Sequence, residues 1–245
     1  MRNSSTQTDS QKTIMTPEEI NISSSEYFIN RHISLMQFNL RVLEQALNEE
    51  YPLLERFQFL MIFNSNMDEF FEIRLAGLRR QISFSRETVN IDGMRPQDVL
   101  HTLSEQIKLA TEKQYCILND ILLPTLNSNK VRIINYQDWN KGVAIWAEDY
   151  FRNQVMPIIS PIGLDPAHPF PRLVNKSLNF IVSLEGKDAF GRDSGMAIVP
   201  APRSLPRLIR IPEELCSDGD NFVLLSSLIE AHIDDLFNGM TTTGC

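Results

Sequence analysis

The chain has 245 residues, a length that allows one large domain or two smaller ones. Hydrophobic residues make up 42% and charged residues 22%, which excludes collagen-like, mucin-like and fully disordered proteins. Lys and Arg number 23 against 31 Asp and Glu, and the resulting formal charge of -8 disfavours a general binder of nucleic acid. We therefore expect no nucleic-acid partner, and a site for a polyanion must be a local patch.

Cysteine usage and hydropathy favour a reducing compartment. The three cysteines are far apart and odd in number, so neither a disulfide framework nor a zinc site is predicted. No signal-peptide core and no run of about 18 apolar residues occurs. We expect a cytoplasmic protein, and a peripheral association with the membrane stays open. Residues 1–25 are rich in Ser, Thr, Asn and Gln, which predicts a disordered tail.

Apolar residues recur at helical spacing over residues 26–125, which predicts a helical N-terminal domain that folds as a bundle. Ser34 is predicted to cap the first helix, and the second helix is predicted to stop near Asn64. The fourth helix should begin near Pro96 and end before Pro124, because proline interrupts the hydrogen bonding of a helix interior.

The segment NSNMDEFF at 64–71 is the first candidate site. Ser65 or Asn66 can cap a third helix, with an acidic residue three places later as a capping box requires. Unpaired N–H groups at a helix start, together with an Asn amide, suit a ligand edge such as an adenine ring. Plain capping, worth about 1 kcal/mol, is the alternative reading of the same residues.

Shorter apolar segments follow, and they predict an α+β domain with antiparallel strands over residues 130–245. Helices are predicted over residues 139–155 and 226–237, with Gly239 in the left-handed conformation just after the second one. Strands are predicted at 131–134, 178–184, 196–199, 208–211 and 222–225.

Arginines of the third helix form a second candidate site. Arg79, Arg80 and Arg86 could gather phosphate oxygens on one flank, which would make the helix a polyanion binder. A solvated, partly neutralised helix face is the alternative.

The segment DPAHPFPR at 165–172 is the third candidate. Its prolines could fix His168 beside Asp165 and Arg172 for acid-base or phosphate chemistry, or the segment is only a rigid connection. Structural roles are expected for the remaining histidines, which are His32, His101 and His232.

Several separate stretches resemble one known family. Resemblance to the N-terminal domain of polyphosphate kinase is carried by YFINRHISLMQFNLRVL at 27–43, PLLER at 52–56 and NSNMDEFF at 64–71. Resemblance to the start of that family's middle, or head, domain is carried by GLDPAHPFPR at 163–172 and IEAHIDDLF at 229–237. The resemblance covers about residues 26–240 and makes the α+β domain an incomplete head domain.

The resemblance implies reversible transfer of the terminal phosphate of ATP to polyphosphate, through a phosphohistidine and with magnesium. It implies that Asn66 contacts the nucleotide and that the middle domain supports a homo-oligomer. The phosphohistidine and the magnesium ligands are expected in two later domains, so no catalytic or metal-binding residue is predicted here. We therefore expect a truncated polyphosphate kinase that is inactive alone, the alternative being a non-catalytic dimerisation or interaction module.

Overall fold

The computed structural model describes residues 21–84, 89–165, 167–186, 195–216 and 218–245. These residues form two compact units, one ending at Leu122 and the other covering Leu123–Cys245. The prediction of a helical bundle followed by an α+β domain is confirmed, while the predicted domain limits stay predictions. Most of the predicted tail, residues 1–20, lies outside the described residues.

Among its described residues the first unit has four α-helices: α1 (Arg31–Gln45), α2 (Leu53–Glu69), α3 (Ala76–Phe84) and α4 (Pro96–Cys116). Their apolar faces enclose one core, whose largest fully buried side chains are Phe63, Phe70, Met36, Leu43, Leu78, Leu103 and Leu122. The described part of this unit contains no strand.

Helix α1 begins earlier than predicted. Asn30 is the N-cap, and its side-chain oxygen accepts hydrogen bonds from the backbone N–H groups of His32 and Ile33 at 3.0 and 3.2 Å. The prediction of Ser34 as the cap is therefore wrong. Asn and Ser cap helices about equally well, and here the buried stripe of α1 already starts at His32, which brings the helix start forward.

Helix α2 continues past the predicted stop at Asn64 and ends at Glu69, so the predicted cap at Ser65 or Asn66 is wrong. Phe63, Met67 and Phe70 follow at spacings of four and three residues and are all buried. Keeping these three side chains in the core requires an unbroken helix, which outweighs the local capping preference of the polar run.

Two π-helical segments connect helices where the spacing of buried residues widens to five. Phe70–Leu75 joins α2 to α3, and Ile117–Leu122 follows α4. The first and last residues of each segment are buried. In an α-helix, residues five apart point about 140° away from each other, whereas the wider π turn brings both to the same face.

Helical residues also continue through Pro124, contrary to the predicted end before it. Helix α5 (Leu123–Ser128) directly follows the π-helical segment Ile117–Leu122. Pro124 is thus the second residue of α5, and its missing N–H falls where the wider π turn gives way to the α-helical repeat.

The described part of the second unit contains α5, two further α-helices and seven short strands. The helices are α6 (Lys141–Tyr150), which continues as a π-helical segment Phe151–Val155, and α7 (Leu225–Ala231). The strands are β1 (Val131–Ile133), β2 (Ile162–Leu164), β3 (Asn179–Gly186), β4 (Met196–Pro200), β5 (Leu208–Arg210), β6 (Asp220–Leu224) and β7 (Met240–Gly244).

Two sheets form, with strand orders β1-β6-β5 and β2-β4-β3-β7. The described strands pair antiparallel, as predicted, with the exception of β1 and β6, which are parallel. Gly239 has the predicted left-handed conformation, with φ at 85°. Strands β2 (IGL) and β7 (MTTTG) were not predicted, because neither contains a run of apolar residues that marks a strand in the sequence. Phe151, Ile198, Ile211, Leu225 and Leu228 are the largest fully buried side chains.

Candidate functional site: an Asn pair and an arginine-lined groove

Asn66 lies inside α2 and is half-buried. Its Nδ2 donates a hydrogen bond of 3.2 Å to Oδ1 of Asn39, a residue of α1 that is only 2% exposed. Within the described part of the chain, the second N–H and the Oδ1 of Asn66 have no hydrogen-bond partner. Because Asn66 is not at a helix start, backbone N–H groups there are not available to a ligand. Its side-chain amide is the group that could bind one.

A groove of about 470 Å³ follows the exposed side of α1. Three arginines line it, and Arg74 reaches it from the π-helical segment Phe70–Leu75. The described residues that line the groove are Arg31, His32, Ser34, Leu35, Phe38, Arg41 and Arg74. Asn66 is not one of them. Its partner Asn39 directly follows Phe38 and is turned about 100° around the helix from it.

The groove has a positive electrostatic environment. Burial lowers the pKa of His32, and Arg31 and Arg74 lower it further, against a smaller opposing effect of Asp92. The Nε of Arg31 donates to Nε2 of His32 at 3.4 Å, which fits a neutral imidazole. His32, predicted to be only structural, is thus a wall of the groove.

The arginines predicted on the third helix are arranged differently. Arg79 and Arg80 are exposed on α3, and neither lines the groove. Arg86 lies outside the described residues. Arg74 was not predicted as a site residue, although it is the arginine that the fold brings to α1.

The candidate at 165–172 is only partly assembled. Nδ1 of His168 lies 3.1 Å from Oδ2 of Asp165, and both side chains are exposed. Arg172 is also exposed, and in the described ranges it makes no hydrogen bond or ion pair with either residue. Pro166 lies outside the described residues.

His232 packs among aromatic side chains, an environment that fits the structural role predicted for it. Its ring stacks on Phe151 and Trp139, with centroid distances of 5.1 and 6.4 Å. Burial lowers its pKa, and its Nε2 is buried with no hydrogen-bond partner among the described residues. The third lone histidine, His101, is an exposed neighbour of Glu105.

The described residues provide neither a metal-binding cluster nor a membrane-spanning helix. No three or more His, Cys, Asp and Glu residues come together in a group that could hold a metal ion. No helix in the described ranges has the length and apolar character needed to cross a membrane.

Two family models match the chain in order. The model described as the polyphosphate kinase N-terminal domain matches residues 28–134, and the model of the polyphosphate kinase middle domain matches residues 144–245. The chain belongs to the polyphosphate kinase family. Asn66 and the groove lie within the first match, and His168 lies within the second.

Curated polyphosphate kinases are similar over most of the chain. The enzyme of Pseudomonas syringae pv. tomato is 60% identical over 225 residues, which is 92% of this chain and 31% of the relative. The enzyme of Pseudomonas aeruginosa is 57% identical over 224 residues, which is 91% of this chain and 32% of the relative. The chain thus spans about a third of the length of these polyphosphate kinases.

A solved structure shares the fold. The crystal structure of the polyphosphate kinase from Porphyromonas gingivalis matches with a TM-score of 0.75 and 24% identity. The match covers 88% of this chain and 31% of that one. Both compact units therefore have the architecture of the matching part of a polyphosphate kinase.

Proposed function

We propose that these two units are the N-terminal part of a polyphosphate kinase and that Asn66 contacts the ATP base. The reaction implied for the whole protein is reversible transfer of the terminal phosphate of ATP to polyphosphate through a phosphohistidine. In this proposal the phosphohistidine lies in sequence beyond these residues, and the units supply part of the nucleotide pocket. A cytoplasmic location, with or without attachment to a membrane surface, stays a prediction.

The state of the Asn66 amide is the observation that carries the nucleotide proposal. Asn39 accepts one N–H of Asn66 and so fixes the plane of the amide. One N–H and one carbonyl oxygen are left, and this donor–acceptor pair complements the edge of adenine, which offers an N–H donor beside a ring nitrogen acceptor. Holding the amide in advance lowers the entropy that is lost when a base binds.

Magnesium is implied for the complete family enzyme. Among the described residues, His, Cys, Asp and Glu do not come together in a group of three or more. In this proposal the magnesium ligands, like the phosphohistidine, lie in sequence beyond these residues.

A chimeric enzyme tests the role of Asn66. Residues 28–245 replace the matching part of the Pseudomonas syringae enzyme, which is 60% identical, and Asn66→Ala is made in that chimera. We expect the KM for ATP to rise about 5- to 20-fold, because one or two hydrogen bonds to the base are lost. Leu54→Ala, an exposed change elsewhere on α2, is the control.

Two measurements separate binding from folding in that test. Circular dichroism of Asn66→Ala should match that of the unaltered chimera, and its melting temperature should fall only modestly, through the hydrogen bond lost to Asn39. An unchanged KM for ATP in a folded variant removes Asn66 from the nucleotide site.

The second unit supports a proposal of self-association, which is also the basis of the alternative function as an interaction module. Ile181 faces Ile198 across the β3–β4 pair, and Ile198 faces Ile162 across β2–β4, so the three share one sheet face. Ile181 is 58% exposed and Ile162 is 38% exposed, so apolar surface is open on both sides of the fully buried Ile198.

Sedimentation velocity tests the self-association. We expect a dimer of the 245-residue chain that Ile181→Lys converts to monomer, because burying an unpaired ammonium in an apolar contact is costly. Ile145→Lys, at a 61% exposed position of α6, is the matched control and should leave the dimer intact. A monomeric unaltered chain, or equal dissociation of both variants, contradicts the proposal.

A further inference from the structure

The arginine groove, meaning the groove lined by Arg31, Arg41 and Arg74, concentrates positive charge in an acidic protein. The chain has 31 acidic residues, yet none of the described residues that line the groove is a carboxylate. Within the described ranges, none of the three guanidinium groups forms an ion pair. Cations gathered in one place repel each other, and an anion from outside the chain would relieve that repulsion.

The spacing of the arginines indicates the size of the anion. Arg31 and Arg41 are ten residues apart on α1, which places their backbones about 15 Å apart along the helix axis. Arg74 belongs to a different element and lines the same groove. A single phosphate is too short to use cations spread over this length, whereas a chain of linked phosphates can contact each in turn.

The groove contains two further features that favour an extended anion. Arg31 is the first residue of a 15-residue helix, so the positive end of the helix dipole adds to the field there. The guanidinium carbon of Arg41 lies 5.8 Å from the ring centroid of Phe38, a contact that steadies this cation above the groove floor.

The pKa of His32, which lines the groove, responds to this positive charge. Arg31 and Arg74 both lower its pKa, although the carboxylate of Asp92 acts in the opposite direction. The Asp92 carboxylate accepts a hydrogen bond from Nδ2 of Asn30 at 2.6 Å, so this nearby acid is already engaged with the helix cap. The Asp92 charge offsets the arginines only in part, because its effect on the pKa of His32 is smaller than that of Arg31 or Arg74.

We propose that the arginine groove binds a phosphoanhydride chain, with Arg31, Arg41 and Arg74 contacting successive phosphates. The identity of the anion rests on the proposed function, while the positive groove itself does not. Two sources share this chemistry, the triphosphate of a nucleotide and inorganic polyphosphate. The three arginines are binding residues in this proposal, and no bond to phosphorus is made or broken in the groove.

Calorimetric titration of the 245-residue chain tests the proposal, with inorganic tripolyphosphate, ATP and adenosine as probes. We expect tripolyphosphate to bind at low salt and to weaken as salt rises. The combined variant Arg31→Gln, Arg41→Gln, Arg74→Gln should bind tripolyphosphate at least about tenfold more weakly than the unaltered chain. If the triple variant loses the same affinity for ATP, the groove binds the triphosphate of a nucleotide. If its affinity for ATP is unchanged, the groove binds polyphosphate.

The control is Arg79→Gln with Arg80→Gln, which removes two exposed arginines of α3 outside the groove. Tripolyphosphate affinity should stay within about twofold in this control. Equal losses of tripolyphosphate affinity in both variants would mean a general attraction to basic helices and would overturn the groove proposal. No binding by the unaltered chain, or an unchanged affinity in the triple variant, also overturns it.

His32 offers a readout that needs no variant. Tripolyphosphate bound between Arg31 and Arg74 should raise the pKa of His32 measured by NMR, because the anion offsets the two cations. An unmoved His32 titration at saturating tripolyphosphate overturns the proposal. Asn66→Ala should weaken the binding of adenosine but not of tripolyphosphate. The nucleotide-base proposal and the groove proposal can therefore fail separately.

Discussion

The arginines of the two units are used in opposite ways. In the second unit, Arg210 contacts the carboxylates of Glu213 and Asp220, and Arg152 also contacts two carboxylates. In the arginine groove of the first unit, the described residues provide no such partner. Guanidinium groups that are paired within the chain fasten surface elements, whereas unpaired ones in a groove are available to an anion. The comparison shows that partner geometry, more than residue type, assigns the task of an arginine.

A third use of arginine occurs at Arg56 in the first unit. This residue is only 8% exposed, and its Nε donates a hydrogen bond of 2.9 Å to the backbone oxygen of Ala46, the C-cap of α1. A cation at a helix C-terminus satisfies a free carbonyl and interacts favourably with the helix dipole. Arg56 therefore links the start of α2 to the end of α1.

The largest effect in this comparison is expected for Arg56→Met. The variant keeps an apolar stem but leaves the Ala46 carbonyl without its donor, which should lower the free energy of unfolding by about 2 kcal/mol. Urea denaturation of the 245-residue chain measures this change. A loss below about 0.5 kcal/mol would contradict the capping role.

An intermediate effect is expected from pH, through His32 in the first unit and His232 in the second. Burial is the main cause that lowers the pKa of each in the folded chain. The unfolded chain then binds protons more readily, so the stability contribution is complete above about pH 6.5 and is lost as pH falls below it. The melting temperature should therefore fall on acidification.

His232→Gln tests the contribution of the second unit to this pH dependence. The decline in melting temperature between about pH 7.5 and about pH 5.5 should be shallower in the variant, whatever its absolute stability. His101→Gln, at an exposed position, should keep the slope of the unaltered chain. Equal slopes in all three proteins would contradict the assignment to His232.

The smallest effect is expected for Arg210→Gln. Its side chain is 55% exposed, and solvent screens its ion pairs with Glu213 and Asp220. The loss in unfolding free energy should be below about 1 kcal/mol and should shrink further at high salt. A loss as large as that of Arg56→Met would remove the distinction between surface pairing and buried capping.

Apolar periodicity predicted the helices of the first unit, because a helix buries residues that are close in sequence. The predicted start of α1 and the predicted break in α2 were wrong, because both depend on which side chains the core buries. Asn30 and Ser34 are equally good caps in isolation. The NSN run at 64–66 looks like a helix break in the sequence, yet α2 continues through it and keeps Phe63 and Met67 buried. The parallel β1–β6 pair joins residues about ninety positions apart, for which no local pattern exists.

Part of the candidate site has a sequence signal. Arg31, Phe38 and Arg41 recur at helical spacing, so one side of the groove could have been recognised on α1. Arg74 could not, because its direction depends on the π-helical turn that carries it. Asn66 was singled out by family resemblance, and its hydrogen bond to Asn39 follows only from the packing of α1 against α2.

The π-helical segment Phe70–Leu75 makes chain length itself a determinant of the groove. Six residues bring both Phe70 and Leu75 to the core and direct Arg74 between them. Six residues fit here only because the turn widens. With the ordinary α-helical repeat the same six residues would turn Leu75 about 140° away from Phe70. Arg74 would change direction with it, so the number of residues in this turn matters as much as their chemistry.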